Sequence, residues 1–216
     1  MRLCHIFILF VETNPMQFDP NELEQSAIYK LLSGAVIPRP IGWISSISED
    51  GIPNLAPFSF FNVVGDDPPH VMFSTVRTGD KNKDTLNNVL ATKQFVVNMV
   101  TEEVVEKMNK TAEVVPSEVN EFELGGLTPV ASAIVKPPRV LESPINFECE
   151  LVHHYALENS KFGGAVVMIG KVVMFHFAEG TLTGNFHVDM QKYRPVARLA
   201  GSNYAKLGEI FSIKRL

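Results

Sequence analysis

Apolar and polar positions alternate with period two along much of this chain, and helical spacing of three and four returns only in short stretches. Over ELEQSAIYKLLS (22–33), Leu23, Ala27 and Leu31 recur at helical spacing and predict an amphipathic lead-in helix. Pro38 and Pro40 end any helix there and hold the backbone extended. IGWISSIS (41–48) is rich in β-branched residues and predicts a strand that runs to Asp50-Gly51, a hairpin signal. A second extended segment is expected over 52–61, then a loop at VGDDPP (64–69) and a strand at VMFSTV (71–76). KDTLNNVLATK (83–93) predicts a helix with Asp84 as its N-cap, and QFVVNMV (94–100) a buried strand. Thr101 is expected to cap a further helix, TEEVVEKMNKTA (101–112), with Glu102 and Glu103 in its first turn.

The strongest strand signal is INFECELVHHYAL (145–157). Ile145, Phe147, Cys149, Leu151, His153, Tyr155 and Leu157 share one face at period two, while Asn146, Glu148, Glu150 and His154 share the other. AVVMIGKVVMFHF (165–177) predicts a second long strand, interrupted at Gly170 by a bulge or barrel corner. The C-terminal YRPVARLAGSNYAKLGEIFSIKRL reads as one short helix and a final extended piece. Six or seven mostly antiparallel strands with helices between them predict a small closed barrel with helical insertions. Strands polar on one face argue against a doubly wound parallel sheet, whose strands are buried on both.

Composition narrows the function classes. The 216 residues carry a net charge of −5, the wrong sign for a general nucleic-acid binder. Hydrophobic residues make up 45% and charged residues 20%, enough to bury a full core. Cys4 and Cys149 are too few for a disulfide scaffold and lack metal-ligand spacing, so no metal site is expected. The apolar run LCHIFILFV (3–11) is nine residues long, well short of the roughly 20 that span a bilayer, and no cleavage-type site follows it. Residues 1–21 therefore read as an N-terminal extension ahead of a single domain over 22–216, in a cytoplasmic protein with neither membrane nor nucleic acid as partner.

The common catalytic signatures are missing: no G-x-G-x-x-G after a strand, no G-x-x-x-x-G-K-[ST], no G-x-S-x-G and no H-E-x-x-H. His153 and His154 are adjacent on a strand and face opposite ways, so they cannot share a metal, and His153 reads as a core histidine. Such a chain can still catalyse through a bound cofactor. Three segments suit one. PRPIGWISS (38–46) sets Arg39 between two prolines and presents Ser45 and Ser46. NLAPFSFFN (54–62) mixes small residues, hydroxyls and aromatics, as where backbone amides approach a planar polar ring. STVRTGDKNKDT (74–85) sets Arg77, Lys81 and Lys83 directly before a helix, where cations oppose the macrodipole unless an anion joins them. On the other reading, Asp80 and Asp84 screen those cations on a solvated loop.

The string PRPIGWISSISEDGIPNLAPFSFFN, then DDPPHVMFS, KDTLNN, QFVVN, INFECEL and YRPVARLAGSNYAKLGEIF, resembles the flavin reductase-like family over roughly residues 22–212. The resemblance implies a mainly β fold with helical insertions, a six-stranded antiparallel Greek-key FMN-binding split barrel, forming a homodimer with FMN near the interface. Carried onto this sequence, it implies flavin contacts from Trp43, Ile44, Ser45 and Ser46 and from Asn54, Leu55, Ala56, Pro57, Phe58 and Ser59. The backbone of 56–59 would meet the polar edge of the isoalloxazine, and Trp43 fits either a flavin wall or a core aromatic. Arg77, Lys83, Asp84 and Thr85 would hold the 5′-phosphate. The Gly-Asp-His motif common in reductases of two-component monooxygenases is replaced here by SKFGGAVVMIG (160–170), closer to the flavoredoxin-like branch with its Arg198, Leu199, Gly201 and Tyr204 tail. The implied activity is FMN-dependent electron transfer from NAD(P)H or a protein donor to an acceptor, with no catalytic residue assigned. A carrier without turnover is the alternative. A heme-binding barrel would need an axial ligand from His153, His154, His176 or His187, none of which sits in a ligation motif. Apolar surface on 145–157 and on Phe58, Phe60, Phe61, Val63 and Val64 predicts the homodimer.

Overall fold

Strands β1 (Gly42–Ile47) and β2 (Pro53–Phe58) form a hairpin in the computed structural model, which describes residues 16–77, 81–157 and 164–214. Gly51 turns it with φ +85, a conformation that costs glycine little. Ahead of it lies α1 (Gln25–Ala35), led in by a 3-10 turn at Pro20–Glu22 that Asp19 caps. After it come β3 (Phe61–Asp66), β4 (Pro69–Val76), α2 (Asp84–Thr92), β5 (Gln94–Met99), α3 (Val105–Lys110) and α4 (Glu121–Gly125). A short pair, β6 (Pro129–Val130) and β7 (Arg139–Val140), precedes the long hairpin of β8 (Ile145–Ala156) and β9 (Ala165–Phe177). The chain closes with α5 (Met190–Tyr193), β10 (Val196–Arg198) and β11 (Tyr204–Lys206).

The main sheet is antiparallel in the order β2-β1-β5-β8-β9-β4-β3. Its two edge strands are consecutive in the chain and joined only by Ser59 and Phe60. The three Cα–Cα steps from Phe58 to Phe61 span at most about 11 Å, so the sheet must curl and bring its two edges close at that end. The closing seam is made by side chains: the Phe58 and Phe73 rings lie 5.1 Å apart, and Phe73 meets Phe95 edge-on at 5.2 Å. Ile44, Val97 and Met168 fill the same interior, and α2 adds Leu86 and Val89. A second core covers the outer face of β1 and β2, where Trp43 and Leu55 pack with Val104, Met108, Phe122 and Val140.

The sheet has seven strands, within the six or seven that the pattern predicts and one more than the six that the resemblance implies. Residues 64–69 do not loop out; β3 runs through to Asp66 and pairs with β4, Val63 opposite Val71, about a turn at Asp67-Pro68. Asp84 is not the N-cap of α2: Lys83 holds that position and Asp84 is the first helical residue. Thr101 does not cap α3, because it bridges Pro195 in extended form, while Glu102 turns aside to meet Arg194 and Lys206, each at 2.7 Å. The half-buried reading of β8 fails at both ends: Asn146 and Glu148 on its polar face are buried, and beyond register shifts at Glu148/Cys149 and Leu151/His153 the residues from Val152 to Ala156 are exposed on both faces. His153 is therefore a surface residue, not a core histidine. The irregularity expected at Gly170 lies across the ladder in β8, and Gly170 itself serves close packing, since a Cβ there would strike the Phe95 ring.

Candidate functional site

β2 presents a free edge. The Leu55 amide donates outward to Glu121 Oε2 at 3.2 Å. The alternation of an antiparallel ladder then turns the Pro57 backbone outward too, where its missing N–H costs no ladder bond. The chain that follows α3 lies opposite this edge, and α2 starts at one end of the gap. Between them is a groove of about 560 Å³, lined among others by Ala56, Pro57, Thr85, Ala112 and Val115.

The α2 end is electrostatically incomplete. No side chain caps the helix, and its N-cap position holds a lysine. The Leu86 and Asn87 amides return to the Lys83 carbonyl, and among the described residues the Asp84 and Thr85 amides find no backbone partner. Lys81 and Lys83 line the groove here. Arg77, just past the end of β4, does not line the groove; its Nε is buried and has no hydrogen-bond partner among the described residues. Lysines beside an uncapped helix start suit a phosphate monoester.

A polar network forms the floor. In the orientation that satisfies its neighbours, the Asn54 amide nitrogen donates to Glu121 Oε1 at 3.2 Å and its oxygen accepts from the Thr85 hydroxyl at 3.0 Å. Burial pushes the Glu121 carboxyl above its ordinary range; its own amide and that of Leu55 pull the other way, and the Asp84 charge adds to the rise.

Of the residues expected to bind the cofactor, Asn54, Ala56, Pro57, Lys83, Asp84 and Thr85 come together on this groove. Ser59 lines a smaller adjoining cavity that shares Pro57 and Ala112 with it. Trp43, Ile44, Leu55 and Phe58 do not line the groove but belong to the two cores. Ser45 and Ser46 are fully buried; Ser45 donates to the Pro138 carbonyl, and Ser46 accepts from Asn88. The reason is that β1 lies inside the sheet, flanked by β2 and β5, with a core on each face. Trp43 still serves the site indirectly, donating its indole N–H at 2.9 Å to Thr111 Oγ1 on the groove wall.

Sequence reasoning missed the wall over 111–117, Glu121 and the cavity residues Tyr29 and Asn109. Asn120, whose side chain caps α4 at Phe122 N, was the one local signal near Glu121. Among the described residues no cluster of His, Cys, Asp and Glu could hold a metal, and no helix is long and apolar enough to cross a membrane. Residues 1–15 and 158–163, with part of SKFGGAVVMIG, lie outside the described residues.

A family model described as a flavin reductase like domain matches residues 33–196. An uncharacterized protein of Aquifex aeolicus is 48% identical over 192 residues, 88% of this chain and 95% of its own. The uncharacterized protein YwrF of Bacillus subtilis is 39% identical over 200 residues, 92% of this chain and 98% of its own. Among solved structures, nitrilotriacetate monooxygenase component B from Bacillus cereus matches with a TM-score of 0.89 at 37% identity, over 93% of this chain and 100% of that one. The 2-nitrobenzoate 2-nitroreductase NbaA of Pseudomonas fluorescens matches at 0.81 and 30%, over 93% and 96%. Flavoredoxin of Desulfovibrio vulgaris, at 22% identity and 0.71 over 82% and 91%, shares the fold. Fold and matched span together define a flavin reductase-like split barrel. The chain belongs to the flavin reductase-like family.

Proposed function

We propose that this protein binds FMN in the groove along β2 and works as an oxidoreductase, passing electrons from NAD(P)H or a protein donor to an acceptor. The observation that carries the reading is the joining of a free, proline-bearing strand edge to an uncapped, lysine-flanked helix start within one groove. Lys81, Lys83 and the first amides of α2 would take the phosphate, with Arg77 as a further donor from β4. The outward carbonyls of Leu55 and Pro57 would face the polar edge of the ring. Bound FMN supplies hydride and single-electron chemistry that no side chain can. The chain's part is to bind, orient and exclude water. Thr111 and Ala112 wall the groove, and Glu121, with its carboxyl raised by burial, can hold a proton at Oε1 or Oε2 on the floor.

A homodimer is part of the proposal. Phe58 and Phe61 are buried in the barrel, so the exposed apolar surface rests instead on Val63, Val64, Val152 and Tyr155.

Calorimetric titration with FMN, riboflavin and FAD tests the reading, followed by anaerobic mixing with NADH and NADPH. FMN should bind at least tenfold tighter than riboflavin, and bleaching of its visible band should follow one of the nucleotides. Equal affinity for FMN and riboflavin would remove the phosphate assignment. FMN that binds but is reduced by neither nucleotide would point to a protein donor or to a carrier.

A further inference from the structure

A small cavity adjoins the groove. Its volume is about 200 Å³, and Pro57 and Ala112 line both spaces. That volume is below the roughly 300–1,000 Å³ of pockets for drug-sized ligands, so the cavity suits one ring with a small substituent rather than a dinucleotide. Tyr29 and Tyr204 contribute aromatic surface to it, and Ile41 and Met108 contribute aliphatic surface.

Its polar atoms are donors. The Arg198 guanidinium lies over the Tyr204 ring, 4.6 Å from the centroid, and one amino group is tied to the Gly201 carbonyl. Those two contacts fix the plane of the fork and leave its other N–H groups to the cavity. Neighbouring cations are already committed: Arg194 and Lys206 pair with Glu102, and Arg39 donates to the carbonyls of Ser33, Val36 and Leu199. Among the described residues no carboxylate lies within ion-pair distance of Arg198. Ser59 Oγ accepts from Arg39 Nε at 3.4 Å, which frees its own proton to donate. Tyr204 donates to Asn109 Oδ1 at 3.1 Å, which leaves the Asn109 amide nitrogen as a donor. A net positive, donor-rich cavity between aromatic walls complements a planar anion.

We infer that this cavity is the substrate subsite and takes a one-ring aromatic carboxylate, with Arg198 selecting the carboxylate over a neutral amide. The inference rests on the proposed flavin groove, because the cavity gains a functional neighbour only if the ring lies along Pro57. Charge-assisted hydrogen bonds to a carboxylate are roughly twice as strong as those to a neutral carbonyl, which is the basis of selection.

Benzoate and benzamide, matched in shape, are the probes, titrated by calorimetry into the FMN-saturated protein alongside a separate FMN titration. Benzoate should bind at least tenfold tighter than benzamide. Arg198→Gln should abolish that preference with FMN affinity unchanged, and Arg198→Lys should restore part of it. Equal binding of the two probes to the unaltered protein, or a preference that survives Arg198→Gln, overturns the subsite while leaving the flavin reading intact. If FMN itself fails to bind, the proposed function falls, and the substrate role of the cavity falls with it.

Discussion

Replacing Lys83 by Glu tests the proposed phosphate contact apart from the other properties of the groove. Lys83 is exposed at the N-cap position of α2 and makes no capping bond, so little of the fold depends on it. A glutamate there even suits the helix, since an acidic group near a helix N-terminus contributes about 0.3–1 kcal/mol. Toward a phosphate the sign reverses. Loss of one charge-assisted contact costs roughly 1.5–3 kcal/mol. Repulsion between like charges about 4 Å apart adds on the order of 1 kcal/mol in a wet site. The sum is roughly 2.5–4 kcal/mol, or roughly a 60- to 700-fold rise in Kd for FMN. Riboflavin has no phosphate and should keep its affinity, and urea unfolding should show no loss of stability. Parallel calorimetric titrations of both ligands into both proteins give the comparison. Equal weakening for FMN and riboflavin would refute the reasoning, because the lysine would then be acting on the ring or on the fold.

Three further outcomes follow from the packing. Glu148 is fully buried and accepts from the amides of Ala133, Ile134 and Val135 at 2.6, 2.7 and 3.0 Å and from His176 at 2.6 Å; Glu148→Gln should cost roughly 2–4 kcal/mol in urea unfolding at pH 7. Burial alone would raise the Glu148 carboxyl, but those amides and His176 hold it below its ordinary value. Its stabilisation is therefore present above the unfolded value of about 4.3 and lost as pH falls through the lower folded value, so the variant and unaltered proteins should converge in acid, and a gap that persists there would contradict the assignment. Gly170→Ala should lower the melting temperature, at a cost of about 1–3 kcal/mol, because the new methyl meets the Phe95 ring; an unchanged melt would show that the ring moves freely. Sedimentation should find a homodimer that releases FMN as it dissociates on dilution, and a 24.0 kDa species with stoichiometric flavin would rule that out.

Periodicity reports which face of a strand is apolar, and it located most elements of the barrel within a few residues. It does not report what covers the polar face. Glu148 sits on the polar side of β8 yet is fully buried, because the turn at 133–135 folds over it and supplies three amides. The lysine-flanked start of α2 was legible because its signal is local: cations directly before a helix. The burial of β1 was not, because IGWISS has the same pattern whether its strand lies at an edge or inside the sheet. Only the strand order decides that, and it buries Trp43 to Ser46. The wall over 111–117 carries no local mark, since its role comes from tertiary placement.

Trp43 is the only tryptophan in the chain, and its indole is sealed from water with its N–H on a groove-wall hydroxyl. That makes the protein its own optical gauge. Indole emission overlaps flavin absorption, so a ring in the groove should quench the tryptophan by resonance transfer, and occupancy can be followed without a label. The hydrogen bond to Thr111 adds a second readout, because loosening of that wall would shift the emission to the red. Filling of the groove and movement of its wall thus report through one fluorophore, as intensity and as colour.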